Sequence, residues 1–113
     1  MDLINAEKLE ELQSLSNGTN ELVLNLLDKY ITNSQKFMVQ AREEISNGDT
    51  GNLEYIFHTL KGSSLSLGLT KLGEVMTMLN QRAKDKDFEN LIPELDNIEK
   101  LIDEVKVYKE SVQ

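Results

Sequence analysis

Apolar residues recur every three to four positions along almost the whole of the 113-residue chain. This spacing is typical of amphipathic α-helices, and the alternation of period two that indicates a β-strand persists nowhere. The pattern predicts five helices and an all-α fold. Because the connections between the helices are short, we expect an antiparallel up-and-down four-helix bundle with a short additional N-terminal helix.

Capping and stop residues predict the ends of the first two helices. Asn5 is a suitable N-cap for the short first helix, which the turn-forming segment 16–18 would end. The second helix is expected to begin near Thr19 or Asn20 and to end at 47–48, where an Asn-Gly pair supplies a stop. Its length is then about seven turns, on the order of 40 Å.

The remaining three helices are predicted in the same way. The third opens around Asp49 and Thr50, either of which is able to cap it, and runs to Gly68. The fourth ends at the charged run 84–87. The fifth starts near 87–90, and Pro93 can be accommodated only in its first turns.

The predicted core consists of the apolar positions that share one face of each helix. In chain order these positions are Leu9, Leu12 and Leu15; Val23, Leu27, Tyr30, Ile31, Phe37, Met38, Ala41 and Ile45; Leu53, Ile56, Phe57, Leu60 and Leu67; Leu69, Leu72, Val75, Met76, Leu79 and Ala83; and Phe88, Leu91, Leu95, Ile98, Ile102 and Val105.

Composition and charge restrict the class of protein. A chain of 113 residues is long enough for one domain, taken as residues 1–113, and the lack of cysteine excludes disulfides and thiolate metal sites. The formal net charge of −8 repels phosphate backbones and anionic lipid headgroups, so neither nucleic acid nor a membrane is an expected partner.

No stretch is apolar enough for a membrane span or a signal peptide. We therefore expect a cytoplasmic protein.

The one histidine of the chain, His58, falls on the outer face of the third predicted helix. At about 100° per residue it lies roughly 150° from the centre of the apolar stripe, and Lys61, Gly62 and Leu65 continue the surface around it. A lone histidine in such a place is most often an ordinary solvated residue. However, a glycine costs a helix about 1 kcal/mol relative to alanine, and here it leaves a gap beside the imidazole. Weak helix formers on an exposed face indicate a functional site.

Few kinds of chemistry fit this face. A solvent-exposed imidazole is largely neutral at physiological pH and is then a nucleophile, while the ammonium group of Lys61 suits phosphoryl oxygens, so the pair indicates a phosphate acceptor. A metal site is poorly supported, because the chain has no second histidine and Glu54, at i−4, is a single carboxylate. Ser63 and Ser64 are expected to turn toward the bundle, which disfavours a Ser-His-acid hydrolase. The chain has no glycine-rich loop for ATP.

The run HTLKGSSLSLGLTKLGEV, residues 58–75, resembles the signature of histidine phosphotransfer (HPt) domains. The positions that carry the resemblance are His58, Lys61, Gly62, Leu67, Gly68 and Leu72. The resemblance implies a phosphorelay intermediate, in which His58 receives a phosphoryl group from the aspartyl phosphate of one receiver domain and passes it to the aspartate of another. It also implies that Lys61 pairs with the phosphoryl oxygens and that the receiver reaches the imidazole through the gap at Gly62.

The resemblance also implies which groups are supplied by other proteins. The expected partners are the receiver domain of a hybrid sensor kinase and that of a response regulator. The receiver supplies Mg²⁺ and most of the catalytic groups, so this chain is expected to carry no metal or other cofactor and to be a phospho-carrier rather than an enzyme. We expect a monomer. The initiating Met and the lack of a trailing linker favour a free-standing protein over a piece of a hybrid kinase.

Two assignments within the resemblance stay open. Family members often have Glu or Gln where this chain has Asn80, and that side chain orients the imidazole. Asn is shorter, so Asn80 is equally well explained as a polar residue near the end of an amphipathic helix. Docking needs an apolar surface, which Leu65 together with Ile4 or Leu12 would provide, although the two N-terminal residues are better explained as core.

Two other interpretations of the chain are possible. It is alternatively a docking module that binds a receiver or kinase without being phosphorylated, or a plain helical bundle in which the motif is coincidental. The first predicts that His58→Gln preserves both binding and biological output. The second predicts that Gly62→Ala merely stabilises the helix.

Overall fold

The computed structural model describes residues 2–112 and contains five α-helices and no strand in that range. The helices are α1 (Ala6–Leu15), α2 (Glu21–Ser46), α3 (Leu53–Ser66), α4 (Thr70–Lys84) and α5 (Leu91–Val112). They form an elongated body of 47 × 21 × 20 Å. The prediction of an all-α fold with a short first helix is confirmed. None of the helices in the described range is long and apolar enough to cross a membrane. Residues 1 and 113, the ends of the predicted domain, lie outside that range.

The start of α3 differs from the predicted one, because several residues compete as caps. At α1, the side chain of Asn5 accepts a hydrogen bond from the backbone N–H of the third helical residue at 3.1 Å, as predicted. By contrast α3 begins at Leu53, so the predicted start at Asp49 or Thr50 is wrong. The Asp49 carboxylate instead accepts a hydrogen bond from the N–H of Gly51 at 3.0 Å, which stabilises a turn before the helix.

The last helix begins next to the predicted range. α5 starts at Leu91, directly after Asn90, and Pro93 lies in its first turn, as predicted. Asn90 has a φ of 52°, in the left-handed region, so the helix does not extend back through it. In the same turn the guanidinium of Arg82 pairs with the carboxylate of Asp87 at 3.1 Å, and this hydrogen-bonded contact lowers the pKa of Asp87.

The apolar stripes predicted for the four longer helices form one core, and most of their residues are fully buried. Four of them are only half-buried at its edge: Phe37, Ile45, Val75 and Phe88. The prediction fails for Leu15, whose side chain is 73% exposed. Each step of three residues turns a helix by about 300°, so Leu15 points about 120° away from Leu9 and leaves the buried side of α1.

A buried hydrogen bond fixes the rotation of α3 against α2. The hydroxyl groups of Tyr30 and Ser64 lie 2.8 Å apart. Burial raises the pKa of Tyr30 to about 12, although the hydrogen bond to Ser64 acts in the opposite direction, so the phenol is neutral at physiological pH. The inward orientation predicted for Ser64 is confirmed. Because Phe57 and Leu60 of the same helix are also buried, the opposite face of α3 is left to solvent.

The segment before α1 is attached to the turn between α3 and α4. The N–H of Asn5 donates to the carbonyl of Gly68 at 2.7 Å, and the N–H of Thr70 donates to the carbonyl of Leu3 at 3.1 Å. Gly68 has a φ of 70°, and a Cβ there would lie 2.7 Å from the Cβ of Lys8. Only glycine fits both conditions. These contacts hold α1 beside the C-terminal end of α3.

Candidate functional site

His58 lies on the solvent-facing side of α3, as the helical spacing predicts. Its side chain is exposed, whereas the neighbouring Phe57 is fully buried and Leu60 is 1% exposed. The core contacts of these two residues therefore determine where the imidazole points. A ring in this position is open to a large partner.

The imidazole borders an open depression of about 500 Å³ between α3 and α4. The residues that line this depression are Gly51, Glu54, Tyr55, His58 and Lys84. Lys84 is the last residue of α4 and is not among the site residues predicted from the sequence. The helix dipole favours a cation in the last turn of a helix, and this alone explains a lysine there, so its position in the sequence does not indicate a second role.

Contacts between α3 and α4 determine which residues of the two helices lie side by side near His58. Gly73 of α4 lies against Leu65 of α3, since a Cβ at Gly73 would come within 2.6 Å of Leu65 Cδ2. Eleven residues further along α4, Lys84 borders the depression together with Glu54, which is eleven residues further back along α3. The contacts thus advance along α4 as they retreat along α3.

The two lysines near His58 occupy different places. Lys61 is half-buried one turn further along α3 and does not line the depression, whereas Lys84 is exposed and does. Among the described residues neither lysine forms an ion pair. The nearby Arg82 differs, because its guanidinium is bound to Asp87 and to the carbonyl of Glu89. The ammonium groups of Lys61 and Lys84 therefore remain available to an added anion.

Gly62 leaves a gap on the outer face, one turn beyond His58. It is exposed, and a Cβ built on it would meet no heavy atom within 4 Å. Its φ is not positive, so the backbone conformation does not require glycine either. Among the described residues, therefore, no contact explains why the helix has a glycine at this position, where it lowers helix stability.

Two exposed apolar side chains lie on the same face of α3 as His58. Leu65 is 50% exposed and lies over Gly73, where any larger residue would displace it. Tyr55 is 64% exposed, and its ring packs edge-on against Phe37 of α2 with 6.3 Å between the centroids. Leu65 is among the site residues predicted from the sequence and Tyr55 is not, although the position of Tyr55 at i−3 from His58 would have indicated it. Ile4 and Leu12 are half-buried against the core.

Asn80 is as far along α4 as His58 is along α3, measured from the contact between Leu65 and Gly73. Asn80 is seven residues after Gly73, and His58 is seven residues before Leu65. Unlike His58, Asn80 is not exposed. Asn80 is only 2% exposed, and neither atom of its amide group has a hydrogen-bond partner among the described residues. The hydrogen bond to the imidazole that the family resemblance implies is thus not formed here. The alternative, a polar residue near the end of an amphipathic helix, fits its position in α4, although the side chain is buried.

We expect Asn80→Leu to raise the free energy of unfolding by about 1 kcal/mol, because it removes a buried amide that has no partner and replaces it with an apolar group of similar size. Urea denaturation followed by circular dichroism measures the change. Asn25→Leu, at an exposed position of α2, is the control for helix propensity, which contributes only a few tenths of a kcal/mol. A loss of stability in Asn80→Leu would contradict this expectation and indicate that the amide has a hydrogen-bond partner in solution.

Comparisons with known proteins indicate the family and the fold of the chain. A family model, that of the Hpt domain, matches residues 25–107, a range that includes His58 and Lys84 and begins after α1. The fold is similar to the crystal structure of histidine-containing phosphotransfer protein B from Pseudomonas aeruginosa PAO1, with a TM-score of 0.85 at 19% sequence identity, over 96% of this chain and 92% of that one. A search of curated protein sequences gives no significant match.

Proposed function

Because the chain belongs to the Hpt domain family, we propose that it is a histidine-containing phosphotransfer protein and an intermediate of a multistep phosphorelay. His58 accepts a phosphoryl group from the aspartyl phosphate of a receiver domain in a hybrid sensor kinase. It then passes the group to the aspartate of the receiver domain in a response regulator. The observation that carries the proposal is an exposed imidazole at the edge of an open depression, with an unpaired lysine across it.

The transfer step requires one nucleophile on this chain. The unprotonated ring nitrogen of His58 attacks the phosphorus of the aspartyl phosphate, so an N–P bond forms while the P–O bond to the aspartate breaks. The aspartate leaves as a carboxylate. The second ring nitrogen keeps its proton, and the ring is a phosphoimidazolium until that proton passes to solvent. Transfer to the second receiver is the same exchange in reverse.

We assign most of the catalytic groups, and the Mg²⁺ that neutralises the phosphoryl charge, to the receiver domain. The family resemblance supports this division, as does the position of His58 on an exposed helix face. On this assignment the chain is a phospho-carrier without a cofactor of its own. Lys61 and the gap at Gly62 then support transfer, the lysine by its charge and the glycine by admitting the receiver.

The docking surface in this proposal lies around His58 on α3. Tyr55 and Leu65 provide exposed apolar area on either side of the imidazole, and the open surface at Gly62 lies between the imidazole and Leu65. Contacts of this kind suit a small, transient interface. We propose that the protein acts in the cytoplasm as a monomer, because one such face is enough for each receiver in turn.

We also propose that α2, α3, α4 and α5 form an antiparallel up-and-down four-helix bundle, with α1 as the additional N-terminal helix. The short connections between the helices support this topology. The progression of contacts along α3 and α4 supports it for that pair.

Labelling with a phosphorylated receiver domain tests the proposed function. Receiver domains loaded with radioactive phosphate are mixed with the purified protein, and we expect label to move to it within minutes. The linkage should be acid-labile and stable in alkali, since it is a phosphoramidate. Label that survives acid would indicate a serine or threonine ester. A protein that no receiver domain labels is not a phosphorelay intermediate.

A further inference from the structure

The depression beside His58 holds two opposite charges. Glu54 lies one turn before His58 on α3, and Lys84 reaches the same depression from the end of α4. Both residues are exposed, and among the described residues neither takes part in an ion pair. A group added to the imidazole therefore meets a free carboxylate and a free ammonium.

We infer that Glu54 and Lys84 act as opposed charges that set how the phosphoryl group is divided between His58 and the aspartate of the receiver. The inference rests on the proposed function. A bound phosphoryl group carries nearly two negative charges at neutral pH. Lys84 stabilises this charge and so favours phosphohistidine, whereas Glu54 repels it and favours return of the group to aspartate. Each effect amounts to a two- to fivefold change in the equilibrium constant, as is usual for exposed charges in contact.

The two charges have opposite effects on the stability of phosphohistidine, so together they allow His58 both to accept the phosphoryl group and to release it. A site with lysines alone would hold the phosphoryl group and hinder its release to the next receiver. A site with Glu54 alone would accept it poorly. Lys61 adds positive charge on the side of His58 that faces Gly62, away from Glu54. Among the residues that line the depression, Glu54 is the one whose negative charge repels the phosphoryl group.

The equilibrium constant distinguishes this role from receiver docking. In the exchange, the N–P bond of phosphohistidine breaks as the P–O bond of aspartyl phosphate forms, and the reactants and products are separate proteins. A residue that touches only the receiver lowers or raises both rates equally, because docking is absent from the initial and final states. A residue that interacts with the phosphoryl group itself shifts the equilibrium constant.

The experiment compares Lys84→Gln and Glu54→Gln with the wild-type protein. Each is mixed with one receiver domain that labels the wild-type protein, at concentrations below the dissociation constant of the complex, and the label on each protein is measured at equilibrium. We expect Lys84→Gln to shift label two- to fivefold toward the receiver and Glu54→Gln to shift it by a similar factor toward His58. Both shifts should shrink in 0.5 M salt, where screening is strong.

Lys71→Gln and Glu74→Gln provide matched charge controls on α4. Both residues border the groove between α4 and α5 and not the depression at His58. Lys71 is thirteen residues from Lys84, about 20 Å along the helix, which exceeds the screening length in 0.1 M salt of about 10 Å. We expect both controls to leave the equilibrium constant unchanged.

The possible outcomes separate this inference from the proposed function. If Lys84→Gln and Glu54→Gln change the rates but leave the equilibrium constant unchanged, the two residues contact the receiver and the inference is overturned. Shifts of the same sign in the two variants overturn it as well. If no receiver domain labels the wild-type protein, the proposed function fails and the inference fails with it.

Discussion

His58→Gln is expected to abolish phosphoryl acceptance, with transfer from a phosphorylated receiver slowed by on the order of a thousandfold or more. The amide nitrogen of glutamine has no free lone pair, so the nucleophile that accepts the phosphoryl group is lost. Because His58 is exposed, the free energy of unfolding should change by less than about 0.5 kcal/mol. Transfer of radioactive phosphate, followed over seconds to hours, measures the rate, and thermal denaturation confirms that the variant is folded.

The same variant separates the relay from a docking module that works without phosphorylation. A relay predicts that His58→Gln still binds the receiver, since Tyr55 and Leu65 are intact, while the downstream output is lost. A docking module predicts that binding and output are both retained. Undiminished labelling of the variant would place the acceptor on another residue and end the assignment of His58.

The all-α class of the fold and the orientation of His58 could be predicted because both depend on the spacing within single helices. Each stripe of the core is periodic in sequence, and the face opposite a buried stripe is exposed wherever the helix packs on one side. The start of a helix depends on more than this spacing. Asp49, Thr50 and Asn52 are all able to precede a helix, and only the turn around Gly51 decides that α3 begins after Asn52.

Lys84 and the burial of Asn80 could not be predicted, because both depend on how α3 and α4 are placed against each other. That placement is set by residues far from the site, among them Gly73, whose missing side chain makes room for Leu65. The spacing of residues within one helix does not show which residue of the neighbouring helix will lie beside them. The second charge beside His58 therefore became visible only in three dimensions.

Gly62 lowers the stability of α3, and neither packing among the described residues nor a positive φ requires a glycine there. A side chain there would be free of contacts, so stability alone favours alanine at this position. Gly68 and Gly73 differ, because a Cβ at either position would come within 3 Å of another side chain. If the glycine at position 62 serves the approach of a receiver, stability and transfer should respond to substitution in opposite directions.

We expect Gly62→Ala to raise the free energy of unfolding by about 1 kcal/mol and yet to slow transfer several-fold, and Gly62→Leu to slow it by about a hundredfold. The stabilisation follows from helix propensity. The slower transfer follows because a displacement of about 1 Å of the reacting groups is enough for such a loss. Urea denaturation and single-turnover transfer from the same receiver domain provide the two measurements.

Glu104→Leu is the control for an added exposed leucine. Glu104 is an exposed residue of α5 that borders the groove between α4 and α5, and it does not line the depression at His58. It should transfer at the wild-type rate. Greater stability together with slower transfer in Gly62→Ala distinguishes a relay site from a bundle with a coincidental motif. A coincidental motif predicts greater stability alone. Wild-type transfer rates in both Gly62 variants would show that the receiver does not approach over this part of α3.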